Sequence, residues 1–111
     1  MSLLSGCAHK NLIDSGQQFM NQQQYELAVD KFSAALAEQP DNQATALKLS
    51  QARDSLSQWA NDIEIAADNA KQQQLPEKAL LLYAKALQIN HSQHASNNYK
   101  KLYQQVRATS M

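Results

Sequence analysis

The chain has 111 residues, with 10 basic and 10 acidic side chains and a formal net charge of zero. This length corresponds to one domain, and a hydrophobic content of 43% excludes a disordered chain. Two glycines and two prolines are too few for the turns of a β-sandwich or barrel, whereas 17 alanines, 16 glutamines and 14 leucines favour helix. The balanced charge argues against a nucleic-acid binder, and the single cysteine excludes an internal disulfide framework. The composition therefore predicts an all-α protein.

The first motif in chain order surrounds Cys7. The segment Leu4-Ser5-Gly6-Cys7 resembles the lipobox of bacterial lipoproteins. The resemblance implies that Cys7 is the site of lipid attachment and that residues 1–8 are the remnant of a signal with its anchor segment. A complete signal has an apolar stretch of about 7–15 residues, so we expect the chain to begin within that signal. The alternative is a chance cysteine near the end of a cytoplasmic protein.

The residue after the cysteine bears on where such a lipoprotein is retained. In the enterobacterial lipoproteins an aspartate at this position favours the inner membrane, and Ala8 stands there in this chain. The resemblance therefore implies a protein of the cell envelope that faces the periplasm, anchored to the outer membrane through its lipid.

Two segments of the chain, residues 25–36 and 76–87, are related by a constant offset of 51. Each carries an alanine, an aromatic residue four positions later and an alanine three positions after that. These residues are Ala28, Phe32 and Ala35 in the first copy, and Ala79, Tyr83 and Ala86 in the second. Such spacings place all three side chains on one face of a helix. We therefore predict that the two rings occupy equivalent core positions.

This pattern resembles the tetratricopeptide repeat, a helix–turn–helix unit of about 34 residues. The copies extend over about residues 9–42 and 60–93. The second copy departs from the family pattern, because Ala70 replaces an aromatic residue and His91 stands where proline is expected. The resemblance implies about five or six antiparallel helices stacked in a single domain.

The predicted domain covers residues 9–111 and contains a long central helix and a C-terminal capping helix. The expected helices lie at about 9–22, 25–38, 42–73, 76–89 and 92–108. The central segment contains no glycine or proline, and its apolar residues follow alternating spacings of three and four. The predicted apolar stripe consists of Leu49, Ala52, Leu56, Trp59, Ile63, Ala66 and Ala70. Two alternatives remain for this segment, namely one unbroken helix capped by Asp41 or two helices separated near Trp59.

In the repeat family the first helix of each repeat lines a peptide-binding groove. Carried over to this chain, the partner-binding residues are Lys10, Ile13, Asp14, Gln17, Met20 and Asn21. Chaperone-binding members hold a terminal carboxylate with Lys and Asn at the positions of Ile13 and Gln17, so that clamp is absent here. The alternative is that Ile13 and Met20 only pack on the long helix.

Self-association is a further expectation, because two repeats are fewer than the three that usually make a stable array. The apolar residues that would need cover from a second chain are Leu49, Leu56 and Trp59. A homodimer would provide that cover. The alternative is a monomer in which the first repeat folds back over these side chains.

The sequence contains no pattern that predicts catalysis. His91 and His94 are too few ligands for a metal site, and we interpret them as part of a polar turn. The carboxylates Asp54, Asp62, Glu64 and Asp68 are expected to form a solvated helix face without a histidine partner. The chain also has no nucleophile-elbow sequence and no glycine-rich phosphate loop. We therefore expect neither an enzyme nor a protein that uses a cofactor or metal.

Charge is distributed unevenly along the chain. Residues 1–70 have four basic and nine acidic side chains, a net charge of −5, whereas residues 71–111 have six and one, a net charge of +5. This asymmetry indicates pairing between neighbouring helices, attraction of a charged partner, or head-to-tail association.

Together these patterns favour a non-enzymatic scaffold that holds a protein or peptide partner. In a bacterial envelope such a scaffold would serve assembly, secretion or wall growth, with the membrane reached only through the lipid. The alternative is a cytosolic adaptor or secretion chaperone of the same repeat family without a lipid anchor.

Overall fold

The computed structural model describes residues 3–109, and the side chains from Gly6 to Thr109. In this range it contains five α-helices and no strand, which confirms the all-α class. The helices are α1 (Leu3–Asn21), α2 (Tyr25–Glu38), α3 (Gln43–Gln72), α4 (Pro76–Ile89) and α5 (Gln93–Thr109). None of them, within the described residues, is long and apolar enough to cross a bilayer.

Two helix boundaries decide between the alternatives or differ from expectation. The central segment is one unbroken helix of 30 residues, so the alternative break near Trp59 is wrong. Helix α1 begins at Leu3 and not near His9, because the leucines and alanine around Gly6 favour helix more than the single glycine disfavours it.

The turn that follows α1 and the turn that follows α3 have the same backbone conformation. Gln23 and Gln74 both have φ of 60°, in the left-handed region. In each turn the next amide bonds back to the helix, from Gln24 N to Phe19 O at 2.8 Å and from Leu75 N to Ala70 O at 2.9 Å. This is the Schellman arrangement, in which glycine is the usual left-handed residue. The offset of 51 that relates the two sequence copies therefore also relates these two turns.

The starts of α3 and α5 are capped by side chains. Asn42 Oδ1 accepts a hydrogen bond from Thr45 N at 3.0 Å, and Ser92 Oγ accepts one from Ala95 N at 3.2 Å. The expectation that Asp41 caps α3 is therefore wrong, because the helix begins at Gln43 and the capping residue directly precedes it.

The chain divides into two compact units, with the boundary between Leu56 and Ser57. In the first unit α1 packs against α2, and the core contains Ala28 and Phe32 of α2 with Leu49 and Ala52 of α3. Gly16 of α1 lies against the Phe32 ring, since a Cβ atom there would approach ring carbon Cε1 to 2.5 Å. The small residue thus lets the ring fill the space between the helices.

The second unit is built from the later part of α3 with α4 and α5. Its buried core residues are Ala67, Ala70, Ala79, Tyr83, Ala95 and Leu102. Tyr83 is fully buried, as Phe32 is in the first unit, and both rings lie between buried alanines of their own helix. The prediction that the two rings are core residues is confirmed.

The buried face of α3 differs slightly from the predicted stripe. The sequence pattern places Ala66 on that face, but Ala66 is exposed and Ala67 is buried. A straight α-helix has 3.6 residues per turn, so a stripe with a strict seven-residue period drifts around it. In α3 the difference appears at Ala60 and Ala67, which are buried beside the predicted Trp59 and Ala66, while Leu49, Ala52, Ile63 and Ala70 are buried as expected.

Candidate functional site

The predicted partner-binding face lies on α1, in the first unit. The polar members of the set, Lys10, Asp14, Gln17 and Asn21, are all exposed. Their spacings of four, three and four place them along one side of the helix. Gln17 Nε2 donates a hydrogen bond to Asn21 Oδ1 at 3.1 Å, which orients the two amides at the end of the helix.

The two apolar members of this set lie elsewhere. Ile13 and Met20 are half-buried and pack against the core of the first unit. Their packing favours the alternative in which both side chains contribute to stability. The accessible face of α1 is therefore a polar stripe with one cation, one carboxylate and two amides, and it offers hydrogen bonds and charge to a partner.

Cys7, the predicted lipid acceptor, lies in the second turn of α1 and has an exposed thiol. The side chains of Leu4 and Ser5 lie outside the described residues, as do Met1 and Ser2 of the predicted signal remnant. Cys7 and Lys10 are less than one helical turn apart, so an acyl chain on Cys7 would hold the polar stripe of α1 close to a membrane surface.

The residues predicted to need cover from a second chain are in part covered by their own chain. Leu49 is 5% exposed and belongs to the core of the first unit. Trp59 and Leu56 are half-buried, and Lys85 Nζ of α4 lies 5.0 Å from the centre of the Trp59 ring. The cover of Leu49 weakens the physical reason for a homodimer, which stays a prediction.

An unpredicted polar network joins the helices of the second unit. Asp68 of α3 accepts hydrogen bonds from the Tyr83 hydroxyl of α4 and from His94 Nε2 of α5, the latter at 2.8 Å. Glu64 of α3 accepts a further bond from Ser92 Oγ at 2.7 Å. The expectation of a solvated face without a histidine partner is therefore wrong at Asp68, because α5 brings its first turn against α3, whereas Asp54 and Asp62 are exposed as predicted.

The electrostatics of this network follow from the hydrogen bonds. Burial acts to raise the pKa of Asp68, but the bonds from Tyr83 and His94, with the positive charge of Lys71 nearby, hold that pKa below its ordinary value. Burial first, and donation to Asp68 second, raise the pKa of Tyr83 well above its ordinary value. Tyr83 therefore stays protonated as a donor, and Asp68 stays ionised as an acceptor, at neutral pH.

Within this network the His94 and Asp68 side chains are partly exposed, whereas the Tyr83 hydroxyl that donates to Asp68 belongs to a fully buried side chain. Among residues 3–109 no group of three histidine, cysteine or acidic side chains is placed to hold a metal ion. What the arrangement provides is a polar link between α3, α4 and α5.

A second buried polar cluster centres on His9 of α1. His9 Nδ1 lies 3.0 Å from Ala35 O, and since a carbonyl only accepts, the ring must donate from Nδ1. In the neutral ring Nε2 then accepts from the Thr45 hydroxyl at 3.2 Å. His9 thus joins α1 to α2 and α3. The sequence signal for this role was the position of His9 as a polar residue on the apolar face of α1.

The basic part of the chain forms a groove in the second unit, with a volume of about 410 Å³. The polar residues that line it are Lys71, Gln74, Asn98, Lys101 and Gln105, and the apolar ones are Pro76 and Leu102. Lys71 Nζ donates to Asn98 Oδ1 at 2.6 Å, which fixes the ammonium beside α5. The net charge of +5 in residues 71–111 was the sequence signal for this surface, although it did not indicate which lysines converge.

Neither a protein-family model nor a curated protein matches this sequence. The fold of the described residues defines an all-α protein with five helices in residues 3–109.

Proposed function

We propose that this chain is a non-enzymatic protein-interaction scaffold with a fold like that of the tetratricopeptide repeat. The observation that carries the proposal is the duplicated element, in which matching core rings and matching left-handed turns recur at one constant offset along the chain. A repeated helical unit builds a rigid surface from exposed side chains, and proteins of this architecture use such surfaces to bind partners.

The exposed polar stripe of α1 is the proposed contact surface. Its residues are set on a helix whose opposite side is fixed in the core by Ile13 and Met20, so the stripe is held rigid before a partner binds. The partner is a protein or peptide that offers complementary hydrogen bonds and charges. No cofactor or metal takes part in this function.

Lipid attachment at Cys7 is the second part of the proposal. The lipobox-like sequence and the exposed thiol support it, and the location that follows is the periplasmic face of a bacterial outer membrane. Growth of cells expressing the protein with a radioactive fatty acid tests this part. We expect the wild-type protein to be labelled and the Cys7→Ala variant to be unlabelled. Label that persists in Cys7→Ala would exclude Cys7 as the acceptor. An unlabelled wild-type protein would favour the cytosolic adaptor.

The contact surface is tested with a matched pair of charge reversals. Asp14→Lys changes the stripe, whereas Asp30→Lys makes the same change at an exposed position of α2. Each variant is used as bait in quantitative affinity capture followed by mass spectrometry. We expect Asp14→Lys to lose a partner that the wild type and Asp30→Lys retain, with equal melting temperatures for all three. Retention by both variants would contradict the assignment of the surface to α1.

A further inference from the structure

Within the described part of the chain, the groove of the second unit is lined by basic and not by acidic side chains, which favours a negatively charged ligand. Two lysines line it, and no aspartate or glutamate does among the described residues. Lys101 forms no ion pair within residues 3–109, and Lys71 donates one hydrogen bond to the neutral Asn98, which leaves its charge and two N–H groups available. The groove therefore presents two ammonium groups that have no ion-pair partner among residues 3–109.

The Asp68 carboxylate, one turn before Lys71 on α3, interacts with the charge of Lys71 but forms no ion pair with it among the described residues. Asp68 already accepts hydrogen bonds from Tyr83 of α4 and from His94 of α5. Asn98 is 7% exposed and donates its own amide hydrogen to His94 O at 2.8 Å, so its carbonyl oxygen is turned to Lys71. The Lys71 ammonium is thus held in place by a neutral group.

The groove also contains apolar surface beside the charges. Leu102 and Pro76 belong to its walls, and Gln74 and Gln105 add amide donors. A glutamate side chain fits this combination, because its two methylene groups suit the apolar wall while its carboxylate accepts charge-assisted hydrogen bonds from ammonium groups. An extended acidic segment would place successive carboxylates along such an open groove.

We propose that this groove binds a glutamate-rich segment of a partner protein. The proposal deepens the proposed function and rests on it, since it names a class of partner for the same scaffold at a surface distinct from the α1 stripe. The excess of five positive charges in residues 71–111 would accelerate the encounter with such a segment, and Lys71 and Lys101 would hold its carboxylates.

The test uses a fluorescein-labelled hexaglutamate peptide with both termini capped, and fluorescence anisotropy as the readout. We expect saturable binding at low salt, no binding of the capped hexaglutamine peptide, and an increase of at least about fivefold in Kd for Lys101→Gln. Lys71→Gln should act in the same direction. The matched control is Lys100→Gln, which removes the same charge from the neighbouring residue that does not line the groove.

Three results would overturn the proposal. The first is no saturable binding of hexaglutamate by the wild type, and the second is an equal loss of affinity in Lys100→Gln and Lys101→Gln, which would show attraction by net charge alone. The third is displacement of the peptide by inorganic phosphate at a phosphate concentration close to the Kd of the peptide. That result would indicate a site for small anions. Melting temperatures equal to wild type confirm that the variants are folded. Because the probe is a synthetic peptide, its failure leaves the capture experiment on α1 unaffected.

Discussion

Gly16 and Phe32 fit together because Gly16 lacks a side chain. The Phe32 ring occupies the space in which a Cβ atom of residue 16 would lie, with Cε1, Cδ1 and Cζ at 2.5, 2.7 and 2.9 Å from that position. The corresponding residue of the second unit, at the same offset as the other matched pairs, is Ala67, so the two aromatic rings are accommodated differently in the two copies.

Gly16→Ala is expected to destabilise the protein, because the added methyl group overpacks the site at a cost of about 1–3 kcal/mol. The higher helix propensity of alanine, about 1 kcal/mol, opposes this effect and is smaller. Gly6→Ala is the control, because that position is also helical and has no atom within 4 Å of the added Cβ. Urea denaturation measures both; equal or greater stability of Gly16→Ala would refute the close packing of Phe32.

Replacement of the left-handed glutamines by glycine is expected to stabilise the protein. Gln23 and Gln74 have φ of 60°, which costs a residue with a Cβ atom about 1 kcal/mol or more and costs glycine nothing. Each substitution should therefore raise the free energy of unfolding by about 0.5–1 kcal/mol after the greater entropy of the unfolded glycine is counted.

The neighbouring glutamines supply the control for this prediction. Gln22→Gly and Gln73→Gly make the same change where φ is not positive, and they should lower the melting temperature. The contrast between adjacent positions is the informative quantity. If Gln22→Gly and Gln23→Gly change the stability by similar amounts, Gln23 does not have a left-handed backbone in solution.

Tyr83→Phe should remove the hydroxyl that donates to Asp68 while it keeps the ring in the core. A hydrogen bond to a charged group contributes roughly 1.5–3 kcal/mol, and the exposed side of Asp68 places this one near the lower end. Tyr83→Ala should cost more, because it also leaves a cavity. Tyr103→Phe, at an exposed position of the same residue type, should change stability little.

The pH dependence of Tyr83→Phe follows from the sign of the shift at Asp68. The pKa of Asp68 is below its ordinary value of 3.8 in the folded protein, so its stabilising contribution is present above that value and is lost as the pH falls through the folded pKa. The difference in unfolding free energy between wild type and Tyr83→Phe should therefore be constant near neutral pH and decrease below about pH 4. A difference that does not change with acidification would mean that the hydroxyl does not bind the ionised carboxylate.

Replacing Ile13 and Met20 together by serine should lower the melting temperature, because both side chains pack against the core of the first unit. Loss of two half-buried apolar side chains corresponds to about 1–3 kcal/mol. Lys10→Ser with Gln17→Ser, on the exposed side of the same helix, is the control and should melt like wild type. Unchanged melting of the Ile13→Ser, Met20→Ser variant would restore the interpretation that these residues line a groove.

The helices could be predicted from the sequence because they depend on local patterns. The spacing of Ala28 and Phe32, and of their copies Ala79 and Tyr83, indicates both which segments are helical and which face is buried. The left-handed turns could not be predicted, since glutamines replace the glycine that usually marks them. Backbone hydrogen bonds to Phe19 and Ala70 hold these turns instead.

For the candidate surfaces, too, some features could be predicted from local sequence patterns and others could not. Exposure of Lys10 and Gln17 follows from helical periodicity, whereas the network at Asp68 depends on how α5 packs against α3, which no local pattern records. One signal was available, because Tyr83 stands where the first copy has Phe32. A buried tyrosine hydroxyl needs a hydrogen-bond partner, so this exchange pointed to a polar group opposite the ring.

The single tryptophan, Trp59, allows fluorescence to follow the second unit separately. Trp59 is the only tryptophan of the chain, and the ammonium group of Lys85 lies 5.0 Å from its centre. Its emission therefore reports on the contact between α3 and α4, while circular dichroism averages over every helix. Unfolding curves that coincide would demonstrate a single cooperative transition, and curves that separate would give each half of the molecule its own stability.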